Sequence, residues 1–252
     1  MVDPKTTEQE LDLALATELQ AALLPKACPT DCPHHVAAAR NRMCAGVGGD
    51  FYDFIRINDD QFALVFGDVV GHGIRASLMM AQIMGFLRSR PETLSRPTHI
   101  AAGLNGMLID LGGRIGSVLP CSLIYCVIDT PTGTGFFVNA GHAYPLICDH
   151  GGARMHELTG HNLLLGVEEF EPIEACHTFV PGDRLVMFSD GITDATNAAG
   201  EQFGRDRFRS AINDHMSADP KGCAEGVFRM VDEFRGDAPQ ADDETIVVVD
   251  RV

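Results

Sequence analysis

The chain has 252 residues, 45% of them hydrophobic, which is enough apolar material for one large core. Its 19 Lys and Arg stand against 35 Asp and Glu, and a net charge of −16 excludes nonspecific attraction to nucleic acid or anionic lipid. No run of about 18 apolar residues occurs and Met1–Glu10 is polar rather than signal-like, so the expectation is a cytoplasmic chain without membrane insertion.

Residues 7–24 read as an amphipathic helix, with Thr7 and Glu10 as a capping box and Leu11, Leu15, Leu19, Ala22 and Leu23 at helical spacing. Pro25 ends it. The stripe either packs on the domain or pairs with a second copy or an upstream sensor segment. Residues 1–25 are therefore assigned to an N-terminal helix and linker, and 26–252 to the main domain. Cys28, Cys32, His34 and His35 follow closely, but without the paired spacing of a zinc knuckle, so a Pro-punctuated loop is expected. The chain's eight cysteines are scattered, and Cys121, Cys126 and Cys148 fall in apolar runs suited to buried, reduced thiols.

Short strands are predicted over 36–40 and 51–57 around the turn at Gly46–Asp50, with a hairpin tip at Asp59-Asp60. Phe62–Phe66 is a continuous apolar run typical of a buried strand, delivering Gly67-Asp68 at its end. Helices follow over Ile74–Ser89, with a Met-rich face, and Thr98–Leu111. Ser122–Ile128 and Gly135–Asn139 form a hairpin about Pro131-Thr132-Gly133. Strands at Ala143–Cys148, Glu174–Val180 and Arg184–Phe188 continue the series, two helical segments lie between Gly200 and Phe234, and Thr245–Val249 is a last strand. Strands at both ends with helices between them predict an α+β sandwich.

Aspartates recur at apolar strand ends or beside glycine: Asp50 after Gly48-Gly49, Asp68 before Gly71 and Gly73, Asp190 before Gly191, and Asp242 before Ile246–Val249. Singly, each reads as a turn or an Asx cap. Converging, they would make an all-oxygen site for Mg²⁺ or Mn²⁺, because carboxylates gathered in a core need a cation or protonation. Asp68 suits a bridge between two ions, and the Val69 carbonyl adds a further oxygen.

The segments Ala22–Pro25, Val47–Asp53, Gly67–Ala76, Met79–Ala81, Val138–His142, Phe188–Asp194 and Asp242–Thr245, in this order, resemble the metal-dependent (PPM-type) protein serine/threonine phosphatases, in their bacterial SpoIIE-like branch. The resemblance implies a central β-sandwich with helices on both faces and a centre of two Mn²⁺ or Mg²⁺ ions. By it, Asp50, Asp68, Asp190, Asp242 and the Val69 carbonyl are metal ligands, and a metal-activated water attacks phosphorus in line. It implies a phosphorylated regulatory protein as substrate, a STAS-type anti-sigma-factor antagonist, and coupling of the N-terminal helix to sensor domains. No sensor precedes the helix here, so the chain is read as a free-standing phosphatase or a fragment of a longer one.

Val70 stands where the branch commonly has a small polar residue. His72 lies four residues after Asp68, not two as in eukaryotic relatives, so no general acid is assigned to it; a packing or capping role fits equally. His142 is expected to structure the loop facing the site. Asp53, Asp194 and Asp243 either bind an outer ion or cap turns, and Arg40 and Arg75 are weighed as phosphate contacts against salt-bridged surface roles. Two rivals stand beside the phosphatase: an inactive phosphatase-like module that binds a phosphorylated regulator, and a metal-dependent nuclease, which lacks a basic track.

Overall fold

A computed structural model describes residues 4–25, 32, 34–89, 93–149, 154–160 and 162–252, with side chains described from residue 10 onward. Ten strands form two five-stranded antiparallel sheets. One sheet runs β2 (Phe51–Arg56), β3 (Gln61–Val69), β4 (Cys121–Asp129), β5 (Thr134–Ala140) and β8 (Ala175–Thr178). The other runs β1 (His35–Arg42), β10 (Glu244–Arg251), β9 (Arg184–Phe188), β6 (Leu146–Cys148) and β7 (Met155–Glu157). Helices α2 (Ile74–Arg88) and α3 (Pro97–Ile115) cover the first sheet, and α6 (Pro220–Arg235), packed with α5 (Gly204–Asp214), covers the second. The expected sandwich with helices on both faces is the observed fold.

Strand alternation explains the layering. Along β10, Val247 and Val249 point between the sheets, while Ile246 and Val248 point under α5 and α6. β9 splits the same way, with Leu185 and Met187 inward and Val186 and Phe188 outward. β4 is buried on both faces, which is why its sequence Cys-Ser-Leu-Ile-Tyr-Cys-Val-Ile is nearly all apolar. On α2, Ala76, Met79, Met80, Ile83, Met84 and Leu87 all face the core.

Several local expectations shift. The first helix, α1 (Pro4–Leu23), begins three residues before Thr7, which lies within it rather than at its cap. Its apolar stripe packs on the domain only at its end: Leu11, Leu15 and Leu19 are 60%, 50% and 71% exposed, and docking comes through buried Gln20, half-buried Leu23 and Leu24 just beyond the helix. Helix α3 runs on to Ile115, where Gly116 closes it in the left-handed conformation. Strand β6 starts only at Leu146, since Pro145 precedes it, and β7 was not expected. Asp190 heads a one-turn helix, α4 (Asp190–Thr193), rather than ending a strand. Cys28 lies outside the described residues; Cys32 and His35 sit with Sγ 3.7 Å from Nδ1.

Candidate active site

Two loops and two strand ends meet at one rim of the sandwich. The Gly48-Gly49-Asp50 loop is laid against the end of β3 by a backbone bond from Val69 N to the Gly49 carbonyl, 3.3 Å. A Cβ on Gly49 would stand 2.5 Å from the Val69 carbonyl oxygen and 2.9 Å from Asp68 Oδ1, so only glycine allows the two segments to approach this closely. The loop is held from two further sides. Gln20 of α1 donates from Nε2 to the Gly48 carbonyl, 2.8 Å, and accepts from Gly48 N, 3.0 Å. Asp243 accepts from Gly49 N, 2.7 Å, and from Cys44 N, 2.8 Å.

Asp50 is fully buried. Thr245 Oγ1 donates to its Oδ2 at 2.5 Å, while Oδ1 has no hydrogen-bond partner among the described residues. Burial pushes the Asp50 carboxyl well above the usual carboxylate range, and nearby Asp243 and Asp190 add to the shift against the hydrogen bonds from Thr245 and Ser189. Asp68 is raised likewise, first by burial and then by the negative charges of Asp50, Asp190, Asp242 and Asp243. Asp190 moves the same way through burial and the charges of Asp242 and Asp194. Four acids from four separate stretches of sequence thus share one electrostatic neighbourhood. Among the described residues, no three His, Cys, Asp or Glu side chains are yet drawn in to the spacing that holds a single ion.

The remaining predicted residues divide by place. Asp53 is committed to Arg88 of α2 through an ion pair of 2.9 Å, and Asp194 is exposed and accepts from Gln202. Asp243 is a buried backbone anchor rather than a cap of an exposed turn. His72 is exposed and does not cap α2, whose N-cap is Gly73 without a side-chain bond. Arg40 lies over the Phe228 ring, 4.6 Å from its centroid, and Arg75 bonds Ser117 Oγ, so neither is positioned in the site. The Val70 side chain is 59% exposed and its amide bonds the Pro120 carbonyl.

His142 ties the two sheets together. Its Nε2 lies 3.1 Å from the Phe188 carbonyl on β9, and a carbonyl only accepts, so Nε2 carries the proton. Nδ1 is then the acceptor for the Ser122 hydroxyl of β4 at 2.6 Å. Burial holds the ring neutral by lowering its pKa to about 4. Asn139 fixes the loop, accepting from His142 N at 2.9 Å and donating to its carbonyl at 3.2 Å. A cleft of about 580 Å³ opens beside this bridge, lined by Asp68, Asp190, Ser122, His142, Tyr144 and Arg205 among others. Ser122, Gln20 and Arg205 were not singled out from sequence, and Thr245 entered only as the end of the Asp242–Thr245 segment, with no role assigned. Their partners lie far along the chain, and no local pattern marks them.

Residues 58–252 match the model of the family described as Stage II sporulation protein E (SpoIIE). The chain belongs to the SpoIIE family. Its relatives include the phosphoserine phosphatase RsbU of Bacillus subtilis, 22% identical over 97% of this chain and 72% of RsbU. Protein IcfG of Synechocystis is 26% identical over 82% of this chain but only 36% of its own length, so the chain spans about a third of that relative. Among solved structures, the SiaA-PP2C domain of Pseudomonas aeruginosa superposes with a TM-score of 0.84 at 22% identity, covering both chains completely. The PP2C phosphatase domain of SpoIIE from B. subtilis gives 0.74 at 21% identity, covering 90% of this chain and 64% of that one. The sandwich is thus the PP2C fold, and this SpoIIE-family chain carries its acidic rim at the junction of the sheets.

Proposed function

We propose that this SpoIIE-family chain is a metal-dependent phosphatase acting on phosphoserine or phosphothreonine of a regulatory protein. The observation that carries the reading is the orphaned, fully buried Oδ1 of Asp50 beside Asp68 and Asp190, two further carboxylates that burial and neighbouring negative charge hold above their ordinary range. Such a donor set is hard and anionic, and it fits divalent cations that prefer oxygen. Asp50, Asp68, Asp190, Asp242 and the Val69 carbonyl would hold two Mn²⁺ or Mg²⁺ ions. Asp190 and Asp242 lie on the solvent side of the rim, with Asp242 Oδ1 accepting from Asp243 N at 2.8 Å, whereas Asp50 is fully enclosed.

When bound, paired ions of this kind make water nucleophilic at neutral pH and neutralise charge on a phosphoryl group. The chain's own residues do the rest. Thr245 fixes the Asp50 carboxylate, Asp243 and Gln20 hold the Gly48-Gly49 backbone, and His142 sets the spacing of the sheet ends that carry Asp68 and Asp190. Cys121, beside Ser122 of the cleft lining, is unsuited as a nucleophile, since burial pushes its thiol far toward the protonated form.

The relatives RsbU and RsbP of Bacillus subtilis are named phosphoserine phosphatases, and this supports a phosphoserine ester as substrate. A STAS-type anti-sigma-factor antagonist is the substrate we infer, with the exposed leucine stripe of α1 available to a second copy or a sensor segment, and a cytoplasmic setting. The test is hydrolysis of a chromogenic phosphate ester and of a phosphorylated STAS protein with Mn²⁺, Mg²⁺ or EDTA. Turnover that requires a divalent ion and disappears in Asp68→Asn supports the reading. Turnover unaffected by EDTA would refute it.

A further inference from the structure

The cleft beside the acidic rim presents a problem for its proposed substrate. A phosphate ester carries nearly two negative charges at neutral pH, and it must approach a surface whose lining includes Asp68 and Asp190 on a chain of net charge −16. The lining contains one cation among the described residues, Arg205, the second residue of α5. Its placement at the mouth of the cleft follows from the glycine turn at Gly204, φ +75°, which starts the helix there.

Arg205 is held loosely. Its Nη1 donates a single bond of 3.2 Å to Glu157 Oε1 on β7, and the guanidinium is about half exposed. Nε and Nη2 have no partner among the described residues, so the fork that pairs with two oxygens is open. Glu157 does not depend on it: Arg209, one turn further along α5, donates to the same oxygen at 2.9 Å. Arg205 can therefore leave Glu157 without abandoning an unpaired carboxylate. A cation on a rigid helix, with a second arginine retained to neutralise its resting partner, has the properties of an anion-capturing arm.

We propose that Arg205 binds the phosphate group of the substrate, pairing through the guanidinium fork as the ester enters the cleft. The inference rests on the phosphatase reading and names the residue by which that site takes hold of its anion. It is a binding role: the reacting centre stays at the acidic rim.

The test compares wild type, Arg205→Gln, Arg205→Lys and Arg209→Gln as full chains. Two quantities are read with Mn²⁺ present: steady-state KM and kcat on a small chromogenic phosphate ester, and the affinity for inorganic phosphate by calorimetry. Arg205→Gln is expected to raise KM and weaken phosphate binding about tenfold, the scale of one lost bidentate charge-assisted pair, with kcat within about threefold. Arg205→Lys should recover part of the loss, and Arg209→Gln should weaken phosphate binding by clearly less than Arg205→Gln, because it leaves Arg205 as the remaining partner of Glu157. Unchanged phosphate affinity in Arg205→Gln overturns the proposal, as does an equal loss in Arg209→Gln, which would mark a structural effect of the Glu157 cluster. If KM rises only for a phosphoprotein while small-ester and phosphate affinities stay fixed, Arg205 contacts acidic side chains of the protein substrate and the proposal fails. Absence of turnover in wild type with phosphate binding that still depends on Arg205 would instead sink the phosphatase reading alone.

Discussion

Replacing Asp68 with Asn removes one negative charge from a strand end where burial and four neighbouring acids already oppose ionisation. The amide keeps the shape of the carboxyl but donates on one side and cannot serve as a bridging anion. Metal-dependent turnover should fall by at least about 10²-fold, while far-ultraviolet dichroism stays native. Gly49→Ala tests the loop rather than the charge. Its added methyl meets the Val69 carbonyl and Asp68 Oδ1, and overpacking of this kind costs about 1–3 kcal/mol. Lower urea midpoint together with lost activity is the expected result; a variant of wild-type stability would show that the loop yields freely. His35 makes the third prediction at this scale. Burial, then the positive charge of Arg251 and the neighbouring His34, lower its pKa from 6.5 to about 4. The unfolded chain therefore takes up a proton that the folded chain refuses, and stability falls as pH drops from about 6.5 to 4, flat above and below that window. Allowing for solvent screening, the loss is about 2 kcal/mol, read by urea denaturation at pH 7 and 4.5. His35→Asn should show a shallower profile; parallel profiles would exclude His35 as the source.

Among the elements, α1 has an unusual division of labour. It turns Leu11, Leu15 and Leu19 outward and docks near its end by Leu23 and an amide, with Gln20 exchanging two hydrogen bonds with the Gly48 backbone, one residue from the Gly49 contact to Asp68. Gln20→Ala leaves that buried N–H and C=O without their partner, at a cost of about 1–3 kcal/mol. The expected phenotype is weakened Mn²⁺ affinity and faster proteolysis within α1; unaltered metal affinity would uncouple the helix from the site. No feature of the sequence announced this, because glutamine is neutral in a helix pattern and its partner lies 28 residues away. The same holds for Thr245, which meets Asp50 across 195 residues. By contrast the strands β3, β4 and β9 were legible, since strands buried on both faces are written in unbroken apolar runs. Strand β7 was not: three half-exposed residues, Met155, His156 and Glu157, carry no apolar alternation and are specified by pairing with β6. From sequence, Asp190 reads as the end of the apolar strand Leu185–Phe188, but β9 stops at Phe188 and Asp190 begins the next element. The helix it heads exists because Gly191 packs directly against the Asp243 carbonyl, which a side chain would forbid.

For the whole molecule, the sandwich brings acids from distant stretches of sequence into one low-dielectric rim, and folding must oppose their repulsion. The order of β1, β10 and β9 brings the Asp242-Asp243 turn beside the loops of Asp190 and Asp50, where the negative charges oppose one another. A ligand that binds the folded rim and not the unfolded chain adds stability in proportion to RT ln(1 + [L]/Kd), about 2.7 kcal/mol at a hundredfold excess over Kd. In a domain of this size each kcal/mol moves Tm by about 2–4 °C, so saturating Mn²⁺ should raise Tm by about 5–10 °C. EDTA should reverse the rise. Asp68→Asn should show little of it, and should melt no lower than metal-stripped wild type, because the substitution also removes one of the repelling charges. Thermal scans of both proteins, stripped and loaded, separate these outcomes. An equal Mn²⁺ shift in the two would place the ion elsewhere on the acidic surface and detach the rim from metal binding.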